Sequence, residues 1–258
     1  MKEKVEAILR EAGEIMLSAR EIEQAVSKKE GADNNFVTKY DVEVQHFLRK
    51  RLLALWPEAE FMGEEENEWG DSLHGEVFIV DPIDGTTNFI KHYNSSSISV
   101  ALLREGEVIM GATYQPYWQE FFYAERGCGA FCNGTPIHVT QLGLERSLVC
   151  FGTSPYYAEM IPRTFALAQK LMECAADLRR SGSAVIDLCQ VARGSAGLMF
   201  EARLNPWDHA ASSLIVTEAG GRISQMDGSP LAFDRPCSVL AGSPKAYEEF
   251  FARGLDQI

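Results

Sequence analysis

One stretch of the sequence places carboxylates, a glycine and hydroxyl groups in a spacing that suits a metal-ion site. It spells DPIDGTTNF at positions 81–89 and directly follows the apolar run Val77–Val80, which suits a short buried strand. The carboxylates of Asp81 and Asp84 can turn towards one point, with the backbone carbonyl of Ile83 between them. Hard oxygen ligands of this kind are those that Mg²⁺ prefers.

The local geometry expected for this stretch is a tight loop at the end of a strand. Pro82 fixes φ and donates no backbone hydrogen bond, and Gly85 permits a sharp turn. A strand end holds a site rigidly, and the loop beyond it is exposed to a ligand. An ordinary Asp-Pro turn with side-chain caps is the alternative, although the Gly-Thr-Thr-Asn continuation is more polar than such a turn requires.

Two other acidic segments complete the set. Glu64 and Glu65 follow Gly63, and Asp208 stands at an apparent helix start within residues 205–211. Taken alone, the glutamates suit a charged surface, and Asp208 suits a first-turn acid stabilised by the helix dipole. None of the three segments contains Lys or Arg. Clustered carboxylates repel one another unless cations neutralise them, so their joint occurrence predicts a metal centre.

Composition and charge exclude several classes of protein. The 258 residues are 46% hydrophobic and 24% charged, which is typical of a folded globular chain. A net charge of −13 opposes binding to nucleic acid. The N-terminus is too charged for a signal peptide, and no apolar run approaches the ~20 residues of a membrane span. The six cysteines form no CxxC pair, so we expect reduced thiols in the cytoplasm, no zinc site and no membrane partner.

Apolar periodicity predicts the elements that position these groups. We expect an amphipathic helix over residues 2–25, a polar break at Lys28–Asn35, a second helix that ends before Pro57, and a loop over Glu64–Glu68. Later in the chain the pattern predicts helices over 165–172, 184–192 and 212–219, and strands over 148–151, 178–180, 197–201 and 238–241.

The pattern of hydrophobic and turn residues changes near residue 145. Residues 97–139 show the alternation and turn residues of consecutive hairpins, whereas helical and strand patterns alternate beyond residue 148. We therefore expect two units. Residues 1–145 would hold the N-terminal helices, an antiparallel sheet and most metal ligands, and residues 146–258 an α/β unit with Asp208 and the substrate contacts.

The motifs together resemble the signature of the inositol monophosphatase family, which is related to the fructose-1,6-bisphosphatases. They are GEE at 63–65, DPIDGTTNF at 81–89, WDHAA at 207–211 and EAGG at 218–221, within a match from Val37 to Gly221. The resemblance implies an α/β (α+β) fold that is a layered αβαβα sandwich. It also implies a Mg²⁺-dependent inositol-phosphate phosphatase that hydrolyses myo-inositol monophosphate, or a similar small polyol or sugar phosphate, with a metal-activated water.

The resemblance also assigns roles to individual residues. It implies two or three Mg²⁺ ions held by Glu64, Asp81, Asp84, Asp208 and the carbonyl of Ile83. It implies an attacking water held by Glu64, Thr86 and Asp41. The substrate contacts that it implies are Asp84, Gly85, Thr86, Gly182, Ser183, Ala184, Glu201 and Asp208. A homodimer and inhibition by Li⁺ are further implications.

Other features leave the substrate open. Gly182-Ser183-Ala184 begins a helix whose free N–H groups suit an anionic or hydroxylated ligand. Arg179 and Arg180 fit either a strand-end ion pair or a role near the substrate or a dimer contact. Between Glu201 and Asp208, animal members of the family carry a His where this chain has Leu204-Asn205-Pro206. The sequence therefore does not define which group contacts the substrate hydroxyls at this point.

The alternatives are fructose 1,6-bisphosphate, histidinol phosphate or phosphoadenosine phosphate as substrate, or a non-catalytic metal- or anion-binding regulatory protein.

Two other phosphatase designs fit poorly. Asp81 and Asp84 are three residues apart, where an aspartyl-nucleophile DxDxT motif needs two. Cys174 and Arg180 match C-x5-R, but Asp177 would place an anion against the phosphate.

Overall fold

The computed structural model describes residues 1–28, 36–66 and 73–258. The polar break predicted at Lys28–Asn35 therefore lies outside the described residues from position 29 on. Of the loop predicted over Glu64–Glu68, Glu64–Glu66 forms a 3₁₀ turn, and the rest lies outside the described residues. The described part contains seven α-helices: α1 (Lys2–Ser18), α2 (Lys39–Leu55), α3 (Thr86–Ile90), α4 (Ile161–Met172), α5 (Ala184–Ala192), α6 (Pro206–Glu218) and α7 (Pro244–Ala252).

The first helix is shorter than its apolar pattern predicts. It ends at Ser18, and the chain then turns through Glu21 at φ 52° into a 3₁₀ turn over Ile22–Ala25. A contact distant in sequence explains the difference. The hydroxyl of Tyr40 accepts a hydrogen bond from the Arg20 N–H at 2.9 Å and donates one to the Arg20 carbonyl at 2.7 Å, so the backbone groups of Arg20 are bound outside a helix.

Two of the sheets lie in the first part of the chain. The smaller is an antiparallel pair, β1 (Val26–Lys28) and β2 (Phe36–Thr38). The larger has seven strands in chain order: β3 (Glu60–Gly63), β4 (Glu76–Asp84), β5 (Ser97–Arg104), β6 (Glu107–Gln115), β7 (Glu120–Glu125), β8 (Ala130–Cys132) and β9 (Thr135–Ile137). Strands β3 and β4 are parallel and all others antiparallel. The predicted hairpins, β5–β6 and β7–β8, are therefore present.

A five-stranded mixed sheet lies in the second part. Its strands are β10 (Leu148–Phe151), β11 (Asp177–Arg179), β12 (Leu198–Leu204), β13 (Arg222–Ser224) and β14 (Cys237–Gly242). The order is β11-β10-β12-β14-β13. Strand β10 is parallel to β11 and β12, whereas β14 is antiparallel to both of its neighbours. The carboxyl ends of β10 and β12 therefore meet at one edge of the sheet.

The helices and sheets stack in five layers. Helices α1 and α2 pack on one face of the seven-stranded sheet, α5 and α6 lie between the two large sheets, and α4 and α7 cover the outer face of the five-stranded sheet. The αβαβα sandwich is confirmed. Helix α6 is apolar around most of its circumference because it is buried on both sides. It approaches β6 so closely that a Cβ on Gly111 would lie 2.3 Å from the carbonyl oxygen of Ala211.

The division into units at residue 145 stays a prediction. The β-strands on either side of that point do belong to different sheets. However, one hydrophobic core cluster contains Val77 and Phe122 from the first large sheet together with Met199 and Val239 from the second. The interior that these residues share joins the two parts through the central helix layer.

The DPIDGTTNF segment is not the exposed loop that was expected. Strand β4 continues through Asp84, and the pairing with β5 shifts between Asp81, opposite Ser99, and Asp84, opposite Ser97. Pro82 and Ile83 on β4 thus face the single residue Ile98 on β5, which is the geometry of a β-bulge. Pro82 is tolerated there because a bulge leaves a backbone position unpaired. The two aspartates are consequently buried, with 1% and 7% of their surface exposed.

Candidate active site

Three carboxylates converge between the two large sheets. One oxygen each of Asp81, Asp84 and Asp208 lies within 4.8 Å of the others. The first two come from the bulge of β4, and the third comes from the first turn of α6. Glu64 lies outside this group of three, but it lines the same cavity, and a hydrogen bond links its carboxyl group to that of Asp81.

Burial and mutual repulsion disfavour the ionised form of these three carboxyl groups. Burial raises the pKa of Asp81 well above its usual value, and the charges of Glu64, Asp84 and Asp208 raise it further. Burial and the charge of Glu64 likewise raise the pKa of Asp208. In the described part of the chain, no Lys or Arg forms an ion pair with the three aspartates. Such a cluster needs protons or bound cations, so its chemistry fits a divalent metal ion.

Asp84 is held by the start of α5. Its Oδ2 accepts the Ser183 hydroxyl, the Val185 N–H at 3.0 Å and the Ser97 hydroxyl at 3.3 Å. Burial raises the pKa of Asp84 to about 6, and the bonds from Ser183 and Val185 oppose that rise. The carboxylate is therefore fixed in one orientation with part of its charge compensated.

The other two aspartates are fixed by local hydrogen bonds. The Oδ1 of Asp81 accepts the Ile83 N–H at 3.0 Å. The Oδ2 of Asp208 accepts the Asn205 N–H at 2.7 Å, as the third helical residue of a capping box. Asp208 is thus both the helix-capping acid and a member of the cluster.

The N-terminus of α5 is less free than the sequence suggested. The Val185 N–H is taken by Asp84, and the Ser183 hydroxyl oxygen accepts the Ile186 N–H at 3.1 Å. Gly182, Ser183 and Ala184 do line the cavity. Two of the N–H groups expected to donate hydrogen bonds to a ligand instead donate them to protein oxygens.

Thr86 and Asp41 form a relay behind the cluster. The Thr86 hydroxyl lies 3.1 Å from the Ile83 carbonyl oxygen and 3.3 Å from Oδ1 of Asp41. The other Asp41 oxygen accepts the Thr38 N–H at 2.8 Å. Asp41 is fully buried and lies behind the cavity wall, whereas Thr86 lines it. Because the Thr86 proton points to Asp41 or Ile83, its oxygen can accept a hydrogen bond from a molecule in the cavity.

Gly85 caps the short helix α3 with φ 82° and also lines the cavity. A Cβ there would lie 3.0 Å from the Ser95 carbonyl oxygen, so glycine is required by both conformation and space. Asn88 ties this segment to the loop before α5, since its amide nitrogen donates to the carbonyls of Ser95 at 2.6 Å and Ser181 at 2.9 Å.

The cavity has a volume of about 280 Å³ and contains every predicted site residue except Asp41 in its lining. Glu201, on β12, forms part of the wall and accepts the Ser154 N–H at 2.8 Å. Burial raises the pKa of Glu201 to about 7. Sequence analysis missed Ser154, Tyr157 and Arg203 on this wall. Only the position of Arg203, two residues after Glu201 on one strand, offered a signal.

The two adjacent arginines prove to be different. Arg179 forms an ion pair with Asp177, two residues before it on β11. Arg180 lines the cavity, and its charge lowers the pKa of Glu201. Of the two alternatives for the pair, Arg179 thus has the strand-end ion pair, and Arg180 has the position near the site.

Comparison with known proteins identifies the family. The model of the inositol monophosphatase family matches residues 1–258. The chain belongs to this family.

Similarity to individual proteins supports the same family assignment. The chain is 32% identical to the Nus factor SuhB of Escherichia coli strain K12, over 96% of this chain and 93% of the relative. It is 33% identical to an inositol-1-monophosphatase of Synechocystis, over 95% and 84% of the two chains. The solved structure of the extragenic suppressor protein suhB from Bartonella henselae superposes with a TM-score of 0.87 at 27% identity, over 99% and 96%.

Membership supports a phosphatase, because inositol monophosphatases are metal-dependent phosphatases that act on small phosphorylated substrates. The cluster of three aspartates could hold such a metal. In the part of the chain that the structure describes, no helix has both the length and the apolar character needed to traverse a bilayer. All six cysteines lie in that part and are free thiols.

Proposed function

We propose that the chain is a Mg²⁺-dependent phosphomonoesterase that hydrolyses myo-inositol monophosphate or a similar small polyol or sugar phosphate. The observation that supports this proposal most directly is the approach of the Asp81, Asp84 and Asp208 oxygens to within 4.8 Å at a cavity of about 280 Å³. Repulsion among these buried carboxylates disfavours the arrangement unless a cation is shared. The small cavity suits a compact ligand rather than a polymer.

The ligand set suits magnesium. Glu64, Asp81, Asp84, Asp208 and the Ile83 carbonyl would hold two or three Mg²⁺ ions, since all are hard oxygen donors. When bound, Mg²⁺ would lower the pKa of a water molecule and neutralise charge on the phosphate and the leaving oxygen. The Ile83 carbonyl oxygen lies 3.1 Å from the Thr86 hydroxyl, and its two lone pairs leave room for a metal even when it accepts that hydroxyl proton.

The protein's own groups would orient the reactants. Thr86 would accept a hydrogen bond from the attacking water and pass its own proton towards Asp41, while Glu64 holds the water from the other side. The backbone N–H groups of Gly85 and Thr86 would donate to the phosphate oxygens. Glu201 would accept hydrogen bonds from the hydroxyl groups of the polyol. Asp41 does not touch the reactants in this scheme and acts through Thr86.

A homodimer is proposed as well. Tyr93 and Trp118 expose 67% and 55% of their surface beside a groove of about 570 Å³. Exposed aromatic side chains grouped in this way are typical of protein interfaces. Arg180 and Asp187 line both this groove and the active-site cavity, so a second copy of the chain there would lie against the substrate wall. Inhibition by Li⁺ is proposed on the family resemblance alone.

Phosphate release from myo-inositol 1-phosphate, with Mg²⁺ and with EDTA, tests the proposed function. Fructose 1,6-bisphosphate, histidinol phosphate and phosphoadenosine phosphate complete the panel of substrates. Asp81→Asn should abolish release, and Asp234→Asn, on an exposed turn outside the cavity, serves as the matched control. Failure to release phosphate from any of these esters at millimolar Mg²⁺ would instead support the non-catalytic metal- or anion-binding protein.

A further inference from the structure

An arginine that forms no ion pair with any described residue stands in the wall of the active-site cavity. The guanidinium carbon of Arg203 lies 4.3 Å from the centre of the Tyr157 ring, and both residues line the cavity. The Nε of Arg203 is buried without a hydrogen-bond partner. Within the described residues, the guanidinium group forms no ion pair and no hydrogen bond. The aromatic face alone holds this group in place, and its terminal N–H groups remain free to donate.

Two other arginines that lie over aromatic rings in the second half of the chain form ion pairs with carboxylates. Arg193 forms an ion pair with Glu120 at 2.6 Å. Arg222 also lies over an aromatic ring, that of Tyr247 at 5.8 Å, but forms an ion pair with Glu248 at 3.1 Å. In a chain with 37 acidic and 24 basic side chains, carboxylate partners are abundant. An unpaired guanidinium beside a cavity therefore points to an anion supplied from outside.

Hydrogen bonds connect the two segments of the surrounding wall. The Ser154 N–H donates to Glu201 at 2.8 Å, and its hydroxyl donates to the Arg203 carbonyl at 3.0 Å and accepts the Arg203 N–H at 3.1 Å. These bonds connect the loop after β10 to β12, so Tyr157 and Arg203 face each other from two anchored segments. Arg180 is a second cavity-lining arginine without an ion pair to a described residue. Arg203 and Arg180 line this side of the cavity together with the carboxyl groups of Glu201 and Asp187, and neither arginine forms an ion pair with a described residue.

We propose that Arg203, held flat against Tyr157, is a specificity-determining residue that binds a second phosphate on the leaving part of the substrate. The inference rests on the proposed function and narrows its substrate class to small sugar or polyol bisphosphates in preference to monophosphates. A planar guanidinium matches phosphate by paired hydrogen bonds, and its stacking on a ring limits the entropy lost on binding.

The test compares fructose 1,6-bisphosphate with myo-inositol 1-phosphate in the wild type and in Arg203→Met and Arg203→Lys variants. In Arg203→Met, the ratio of kcat/KM for the bisphosphate over the monophosphate should fall about 10- to 100-fold, mainly through KM. Arg203→Lys should fall less, because it keeps the charge but loses the planar stack. Tyr157→Phe should keep the ratio, and Tyr157→Leu should lower it. Arg222→Met removes a matched arginine–tyrosine pair outside the cavity and should leave the ratio unchanged.

Calorimetric binding of fructose 1,6-bisphosphate in the presence of Ca²⁺ gives a readout independent of turnover, in which Arg203→Met should bind about 10-fold or more weakly. If the wild type releases no phosphate but shows this difference, the proposed function fails and the phosphate subsite stands. Calorimetry with the nucleotide 2′-AMP is carried out alongside. Three results overturn the subsite: equal losses on both substrates, a wild type that binds the bisphosphate no better than the monophosphate, or a loss of affinity confined to 2′-AMP. A loss confined to 2′-AMP would mean that Arg203 and Tyr157 bind a nucleobase and not a phosphate.

Discussion

Replacing Glu201 with Gln should change how the stability of the metal-free protein depends on pH. Glu201 is 6% exposed, and burial raises its pKa from 4.5 to about 7 in the folded state. The folded state therefore holds this proton more tightly than the unfolded chain. Its contribution to stability is fully present below pH 4.5 and is lost as the pH rises through 7. The difference in pKa corresponds to about 3 kcal/mol.

Gln keeps the oxygen that accepts the Ser154 N–H and cannot ionise. The melting temperature of Glu201→Gln minus that of the wild type should thus rise by roughly 6–12 °C between pH 4.5 and pH 8, as expected for about 3 kcal/mol in a chain of this size. Melting curves in EDTA, followed by circular dichroism, measure it. Glu159→Gln, at an exposed position outside the cavity, controls for the general effect of losing a carboxylate. A difference between Glu201→Gln and wild type that stays constant with pH would refute the reasoning.

Three further substitutions probe the site. Asp81→Asn should lower kcat more than about 100-fold while the circular dichroism spectrum is retained, because a carboxylate shared by the metals is lost; activity within a few-fold of wild type would contradict this. Thr86→Val should lower kcat about 10- to 100-fold with little change in KM, since it removes the hydroxyl between the cavity and Asp41, and a change confined to KM would speak against the relay. Glu201→Ala should raise KM more for myo-inositol 1-phosphate than for a small artificial phosphoester, and steady-state kinetics showing equal losses on both would remove its assigned role.

The convergence of Asp81, Asp84 and Asp208 could be predicted from the sequence because much of its signal is local. Asp81, Ile83 and Asp84 lie within four residues, and no distant contact is needed to recognise the chemistry they share. Asp208 is recognisable as a first-turn acid and occupies that place. The five-layer fold follows from the family resemblance rather than from periodicity, which defines single elements and not their stacking.

The features that sequence analysis missed depend on contacts far apart in the chain. Local rules stop a strand at Pro82, but pairing with β5 carries β4 through a bulge to Asp84. The sequence alone predicts free N–H groups at the start of α5, whereas Asp84, about a hundred residues away, accepts that of Val185. The wall of Ser154, Glu201 and Arg203 arises only when β10 and β12 align. Long-range pairing of this kind leaves no trace in spacing or composition.

Anomalous X-ray diffraction from crystals grown with Mn²⁺, an ion of similar ligand preference to Mg²⁺, tests the central claim most directly. We expect anomalous peaks within about 2.0–2.6 Å of carboxylate oxygens of Asp81, Asp84 and Asp208. Peaks only at other positions, or a cluster that stays free of metal at millimolar Mn²⁺, would contradict it.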